Sequence, residues 1–142
     1  MSDWYGACAT NAFRVSDERA WGEELATIPN LGITRTEKDG DIWYILYSNY
    51  PEDGISYGDW PYDRYDERED DWVEFDIIDV VYPHLRDGDV AIFFRSGYSK
   101  RYWITGEAIA VNNRNERVSV NISEIYGLVE RHLGVVTNQI TH

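Results

Sequence analysis

Carboxylates are the side chains of this sequence best suited to chemistry, and they are concentrated in one stretch. Residues 52–79 contain 12 of the 26 acids and only two basic residues, Arg64 and Arg68, so this fifth of the chain carries a charge of −10. Pairs of Asp and Glu can serve as general acid and base in a hydrolase, or hold the cation of a metal-dependent nuclease. Because the separation of two carboxyl groups in space decides between such reactions, the sequence leaves a small carboxylate-based enzyme open as an alternative.

The thiol and imidazole groups do not form a recognisable catalytic set. Cys8 is the only cysteine, lies in an apolar stretch, and is expected to be an inert buried thiol. His84, His132 and His142 lack the spacing of a metal site, and no glycine-rich phosphate loop or nucleophile motif occurs. We therefore expect no catalytic residue, no metal site and no cofactor.

Aromatic residues are interleaved with the acids, which favours a binding surface over a solubilising segment. Tyr57, Trp60, Tyr62, Tyr65 and Trp72 all lie inside the acidic stretch. Rigid aromatic side chains dominate binding hot spots, and a dense acidic face can copy the field of a nucleic-acid duplex, which carries about one charge per 1.7 Å. Charge runs often serve solubility only, so a solvated acidic face stays open as the other interpretation.

The charge predicts that the partner is a basic, nucleic-acid-binding protein or complex, and not nucleic acid itself. A net charge of −13 opposes direct contact with nucleic acid or an anionic membrane, since both attract Lys and Arg. Exposed Trp and Tyr would also suit a glycan- or peptide-binding module, which is a further alternative. The residues predicted to contact the partner are Glu52, Asp53, Asp59, Trp60, Tyr62, Asp63, Tyr65, Asp66, Glu67, Glu69, Asp70, Asp71, Glu74 and Asp76.

Composition predicts a folded chain without membrane segments. Hydrophobic residues make up 43% of the 142 residues, enough to bury a core at a length close to that of one domain. No apolar run approaches the ~18 residues that span a bilayer, and residues 1–5 do not begin a secretory signal. We expect one domain over residues 1–142, located in the cytoplasm.

The residues before the acidic stretch predict a strand, a helix and a β-hairpin. The helix starts at Ser16 and presents Trp21, Leu25 and Ile28 on one face. An Asp-Gly pair at 39–40 is the turn signal of a hairpin between two runs rich in β-branched and aromatic residues. The chain thus begins with the order β-α-β-β.

The acidic stretch itself reads as an aromatic-rich insertion at about 49–72, whose Gly and Pro residues are typical of a loop. A short helix limited by Pro83 and three strands follow it. Asn121 begins a last helix, whose Ile125 and Leu133 are expected to lie in the core.

The order of elements predicts an α+β fold, with one antiparallel sheet and helices on one face. The first six elements match the split β-α-β arrangement called ferredoxin-like, to which a C-terminal β-hairpin and helix are added. No internal repeat or second domain is visible in the sequence.

Several short segments carry a family resemblance. They are WYG at 4–6, TNAFRV at 10–15, PHL at 83–85, GDVAI at 88–92, GEAIAVN at 106–112 and ISEIY at 122–126. In this order they resemble a family of small acidic proteins carried by bacterial plasmids and phages. The resemblance implies an inhibitor of host defence, of the anti-restriction or anti-CRISPR type, that looks like DNA to its target. It implies no catalytic residue, because the matching positions are strand and helix-cap positions.

Overall fold

The computed structural model describes residues 4–48, 59–99 and 104–137. In chain order its elements are β1 (Trp4–Thr10), α1 (Glu18–Leu25), β2 (Leu31–Lys38), β3 (Asp41–Ser48), β4 (Asp63–Asp66), β5 (Asp71–Glu74), α2 (Ile77–Val81), a 3-10 turn (Tyr82–His84), β6 (Val90–Ser99), β7 (Ile104–Asn112), β8 (Arg117–Asn121), a 3-10 turn (Ile122–Glu124) and α3 (Ile125–Leu133). Six strands form one antiparallel sheet in the order β2-β3-β1-β6-β7-β8, and β4 pairs with β5 as a separate hairpin.

Local signals account for most of the element ends. Asp39 and Gly40 both have positive φ, 55° and 82°, which is the backbone of the predicted two-residue turn between β2 and β3. The N-cap of helix α1 lies one residue later than predicted, because the carboxylate of Asp17, and not the hydroxyl of Ser16, accepts hydrogen bonds from the backbone N–H groups of Arg19 and Ala20. Helix α2 ends at Val81, where the chain tightens into a 3-10 turn that contains Pro83, the residue predicted to limit this helix.

The core lies between one face of the sheet and the helices α1 and α2. Trp21 and Ile28 are buried as predicted, and Leu25 packs against the cluster from its edge. The Trp21 ring makes edge contacts with Phe13 and Tyr44, with ring centroids 5.8 Å apart in both pairs. This face, called here the inward face, therefore receives the apolar side of both central helices.

The prediction that α3 contributes to the core was wrong. Ile125 and Leu133 are 54% and 71% exposed, although they lie on a helix with the expected apolar spacing. The physical reason is position, because α1 and α2 already fill the inward face, whereas α3 follows β8 at the edge of the sheet, where every residue from Arg117 to Asn121 is exposed. A helical repeat predicts which residues share a side, and not whether another element covers that side.

A network of ion pairs joins three loops at one end of the sheet. Arg14 binds Asp89 with two side-chain nitrogens, at 3.0 Å and 2.7 Å, and its backbone N–H donates to the same carboxylate. Asp41 accepts from both Arg14 and Arg86. The contact with Arg14 holds the pKa of Asp89 below its usual range, although burial of the carboxyl group opposes the shift. Two of the segments that carry the family resemblance, 10–15 and 88–92, thus meet in this network.

The structure confirms an α+β domain with a six-stranded antiparallel sheet, a separate hairpin and three α-helices. The hairpin falls at the end of the stretch that the sequence predicted to be a loop, since residues 63–66 pair with residues 71–74. The finer assignment to a ferredoxin-like core stays a prediction. Within the described ranges, none of the helices has the length and hydropathy that a bilayer crossing requires.

Candidate partner interface

The hairpin β4–β5 carries the densest group of acids that the structure describes. Residues 63–74 contain seven carboxylates and two arginines, a net charge of −5. The register places Asp63 opposite Glu74 and Asp66 opposite Asp71. Like charges directly opposite each other destabilise a strand pair, so two of the four cross-strand pairs of this hairpin oppose its folding.

Aromatic contacts and turn hydrogen bonds hold the hairpin together in spite of this repulsion. Tyr65 and Trp72 are cross-strand neighbours, their ring centroids lie 6.1 Å apart, and their planes are nearly perpendicular. The Asp66 carboxylate accepts from the backbone N–H of Arg68 at 2.9 Å, which closes the turn. The Tyr65 hydroxyl donates to Asp70, and this bond raises the pKa of Tyr65.

The aromatic side chains of the hairpin are open to solvent. Tyr62, Tyr65 and Trp72 are 58%, 43% and 56% exposed. Because Tyr65 lies two residues after Asp63 on β4, and Trp72 two residues before Glu74 on β5, all four side chains share one face of the hairpin, which presents two rings and two carboxylates. An exposed pair of rings inside an acidic frame combines contact area with electrostatic attraction for a cationic surface.

Arg64 fixes the hairpin to the helical side of the domain. Its guanidinium binds the carboxylate of Glu24 at 2.9 Å and the hydroxyl of Thr27 at 3.0 Å, both in or next to α1. It also lies over the Phe75 ring, with its central carbon 5.2 Å from the ring centroid. The second oxygen of Glu24 is 3.3 Å from His84, whose ring stacks against Trp21. A chain of contacts therefore connects the acidic hairpin to the core.

Several residues predicted to contact a partner have structural partners instead. Asp59 forms an ion pair with Arg95 at 2.7 Å, and Arg95 also binds Glu107. Trp60 is half-buried and packs edge-on against Phe93, with ring centroids 5.4 Å apart. The Asp76 carboxylate caps α2 by accepting from the backbone N–H of Ile78.

Of the other residues predicted to contact a partner, some lie on the surface of the hairpin and two lie outside the residues that the structure describes. Glu67, Glu69, Asp71 and Glu74 are exposed on the hairpin. Glu52 and Asp53 lie outside the described residues. A cleft of about 710 Å³ separates the hairpin from α1, and its walls include Glu24, Arg64, Arg68 and Trp72.

No family model, curated protein or solved structure matches this chain. Among the described residues, no group of three or more His, Cys, Asp or Glu side chains converges in a way that could hold a metal ion.

Sequence reasoning missed the arginines that organise the site. Arg64 was counted only as an offset to the acids, and Arg95 was not considered. Both lie among or opposite carboxylates and pair with residues more than 30 positions away, Glu24 and Asp59. A signal was present for Arg64, because an isolated basic residue in a dense acidic run is expected to have a specific carboxylate partner. For Arg95 the register of β6 and β7 accounts only for Glu107, and the pairing with Asp59, which lies in no strand, depends on tertiary placement that residue spacing does not supply.

The Cys8 thiol is set in an environment that suppresses its reactivity. Its side chain is 5% exposed, and burial, followed by the charge of Asp59, raises its pKa to about 12. Since the thiolate is the reactive species, we expect alkylation of the folded protein at pH 8 to be on the order of 10³-fold slower than that of the urea-unfolded chain. The test is labelling with iodoacetamide followed by mass spectrometry, and equal rates in both states would contradict it.

Proposed function

We propose that this protein is a non-enzymatic inhibitor of a bacterial defence complex that binds nucleic acid, either a CRISPR effector or a restriction enzyme. The observation that carries the proposal is the hairpin β4–β5, in which exposed acids and rings are retained although two of four cross-strand pairs repel. A segment that folds in spite of repulsion between its own like charges is typical of a functional surface.

The proposed mode of action is occupation of a basic groove. Carboxylates along the hairpin attract Lys and Arg side chains that otherwise bind phosphate, and Tyr65 and Trp72 supply contact area. The fixation of Arg64 on Glu24 and Thr27 supports this mode, since it orders the hairpin before contact. The family resemblance of the surrounding segments implies the same type of inhibitor, and the proposal places it in the cytoplasm of the bacterial host.

We also propose that the sheet and helices that carry the hairpin form the split β-α-β arrangement. The elements β1, α1, β2, β3, α2 and β6 follow one another in the order that this arrangement requires, with the acidic hairpin inserted before α2. On this proposal the hairpin is an addition to a common scaffold, and its sequence can vary without disturbing the sheet.

A charge reversal confined to the hairpin tests the proposal. We expect the triple variant Glu67→Lys, Glu69→Lys, Glu74→Lys to bind its target with an association rate at least about tenfold lower, because steering by the acids is lost. Glu74→Lys also places a cation opposite Asp63, so the variant relieves a repulsion and keeps the hairpin folded. The measurement is surface plasmon resonance against a panel of purified Cas effectors and restriction enzymes, at increasing salt.

A matched control has the same change in net charge elsewhere. The triple variant Glu37→Lys, Glu124→Lys, Glu130→Lys alters exposed acids outside the hairpin and is expected to retain most of the association rate. Salt should slow association of the wild type most, since the Debye length falls from ~10 Å at 0.1 M to ~3 Å at 1 M. The proposal is wrong if the wild type inhibits DNA binding by no member of the panel, or if both triple variants behave alike.

A further inference from the structure

The face of the sheet opposite the helices, called here the outward face, is built almost without charge. Strand register aligns one residue from each strand in a single row across it. That row is Gly32, Tyr47, Ala9, Phe94, Ala108 and Val120. A second row contains Thr34, Ile45, Ile92, Ala110 and Val118.

No Asp, Glu, Lys or Arg occupies either row, although 27% of the chain is charged. The charged residues on this face lie at its β2–β3 end: Lys38 and Asp41 at the turn, and Arg14, whose guanidinium is 4.7 Å from the centroid of the Trp43 ring. The charged side chains of the central strands point the other way, as Arg95 and Glu107 do on the helical side. The charged side chains of the sheet are thus concentrated on the acidic helical side, and the outward side is mostly apolar.

The outward face is exposed to solvent. Tyr47, Phe94 and Val120 are 38%, 47% and 53% exposed, and Ala9 is also exposed. Neither α1 nor α2 covers this face, because both pack against the inward side chains Tyr44, Leu46 and Phe93. The side chain of Ile122 reaches the space above Gly106, so the apolar surface extends onto the 3-10 turn that precedes α3.

We propose that the outward face is the interface of a homodimer, in which two copies of this chain stack sheet against sheet. The charge of the chain favours this partner, because a second copy with a net charge of −13 is repelled from the acidic surfaces of the first but meets no carboxylate in either row of this face. Residues 104–137, which form one edge of the face, carry a net charge of only −1. Back-to-back stacking also places the two acidic hairpins on opposite sides of the assembly.

The size of the face agrees with this partner. Six strands about 4.8 Å apart span about 24 Å, and seven residues of strand extend about 23 Å. The projected area of the face is therefore roughly 550 Å². Protruding side chains make the accessible area larger, towards the ~800 Å² per partner of a standard stable interface. Exposed apolar patches of this size on soluble proteins usually mark an interaction site.

Sedimentation velocity across the micromolar range tests the assembly. We expect the wild type to have the mass of two chains, and Phe94→Asp to have the mass of one at the same concentration, because the variant buries a carboxylate in the interface. Trp72→Asp is the matched control, since it replaces a similarly exposed aromatic residue on the hairpin and is expected to leave the dimer intact. A circular dichroism spectrum of Phe94→Asp that matches that of the wild type shows that the fold is retained, whereas the urea midpoint is expected to fall because dimerisation stabilises the folded chain.

Site-specific crosslinking tests the geometry and does not depend on a disruptive variant. The inert setting of Cys8 leaves an introduced cysteine as the reactive thiol. We expect Ala9→Cys, on the outward face, to form crosslinked dimers with a short bismaleimide, and Ala26→Cys, exposed on the helical side, to form few. A wild-type mass of one chain at all concentrations, or equal crosslinking of both variants, overturns the proposal. Since dimerisation is independent of target binding, its failure leaves the proposed function untouched.

Discussion

Replacement of Trp21 with alanine is expected to lower the free energy of unfolding by about 3–5 kcal/mol. The side chain is completely buried and makes ring contacts with Phe13, Tyr44 and His84, at centroid distances of 5.3 to 5.8 Å. Its removal leaves a cavity between α1 and the inward face that the sheet cannot collapse to fill. Urea denaturation followed by circular dichroism measures the effect.

Two further variants make this expectation specific. Trp72→Ala, on the exposed hairpin, is expected to cost less than about 1 kcal/mol, because its ring is 56% exposed. The loss of unfolding free energy in Trp21→Phe is expected to lie between those of Trp21→Ala and Trp72→Ala. The indole Nε1–H of Trp21 finds no acceptor among the residues that the structure describes, so removing this unsatisfied donor offsets part of the lost packing. An unchanged urea midpoint for Trp21→Ala would place the residue outside the energetic core.

Arg14→Ala is expected to lower the free energy of unfolding by more than the loss of an exposed ion pair does, because it leaves the Asp89 carboxylate without its guanidinium partner. Asp89 is 8% exposed and would lose the guanidinium that neutralises it, whereas Arg14 itself remains 27% exposed. The effect exceeds that of an exposed pair such as Arg19–Glu23, for which Arg19→Ala should cost less than about 1 kcal/mol. Urea unfolding at neutral pH compares the two variants.

The same pair gives a pH dependence whose sign follows from Asp89. Because the pKa of Asp89 is lower in the folded protein than in the unfolded chain, its stabilising contribution is complete above the unfolded pKa of about 3.9. It is lost as the pH falls through the lowered folded pKa, where Asp89 becomes protonated. The stability difference between wild type and Asp89→Asn should therefore be largest at pH 7 and shrink below about pH 4. A constant difference down to pH 3 would contradict this assignment.

Short-range signals predicted much of the fold correctly because their physical basis is local. The turn at Asp39-Gly40 requires positive φ at both residues, which few other pairs adopt, and the spacing of Trp21 and Leu25 fixes one side of α1, although the helix ends before Ile28, which was predicted to lie on it. The same reasoning failed for Leu133, since an apolar helix side is buried only if another element arrives to cover it. That arrival depends on the order of strands in the sheet, which residue spacing does not encode.

The candidate interface was predictable in location but not in detail. The acids and rings between residues 59 and 76 indicate the segment, and Tyr62, Tyr65 and Trp72 are exposed there, whereas their contact with a partner stays a prediction. Trp60 is a tryptophan in the same stretch as the exposed Trp72, yet its ring packs against Phe93. Sequence could not separate these rings, because their exposure depends on how the hairpin returns across α1 and β6.

The position of the acidic hairpin on the helical side also gives each chain a permanent electric dipole. Negative charge is concentrated at the end where Arg64 binds Glu24, while the outward face, with Phe94 at its centre, contributes almost none. In the field of a cationic surface such a molecule rotates before it touches, so that a larger share of collisions occurs with the hairpin leading. Its capture rate should thus depend on how its charge is arranged, and a scrambled surface with the same total of −13 would be captured more slowly.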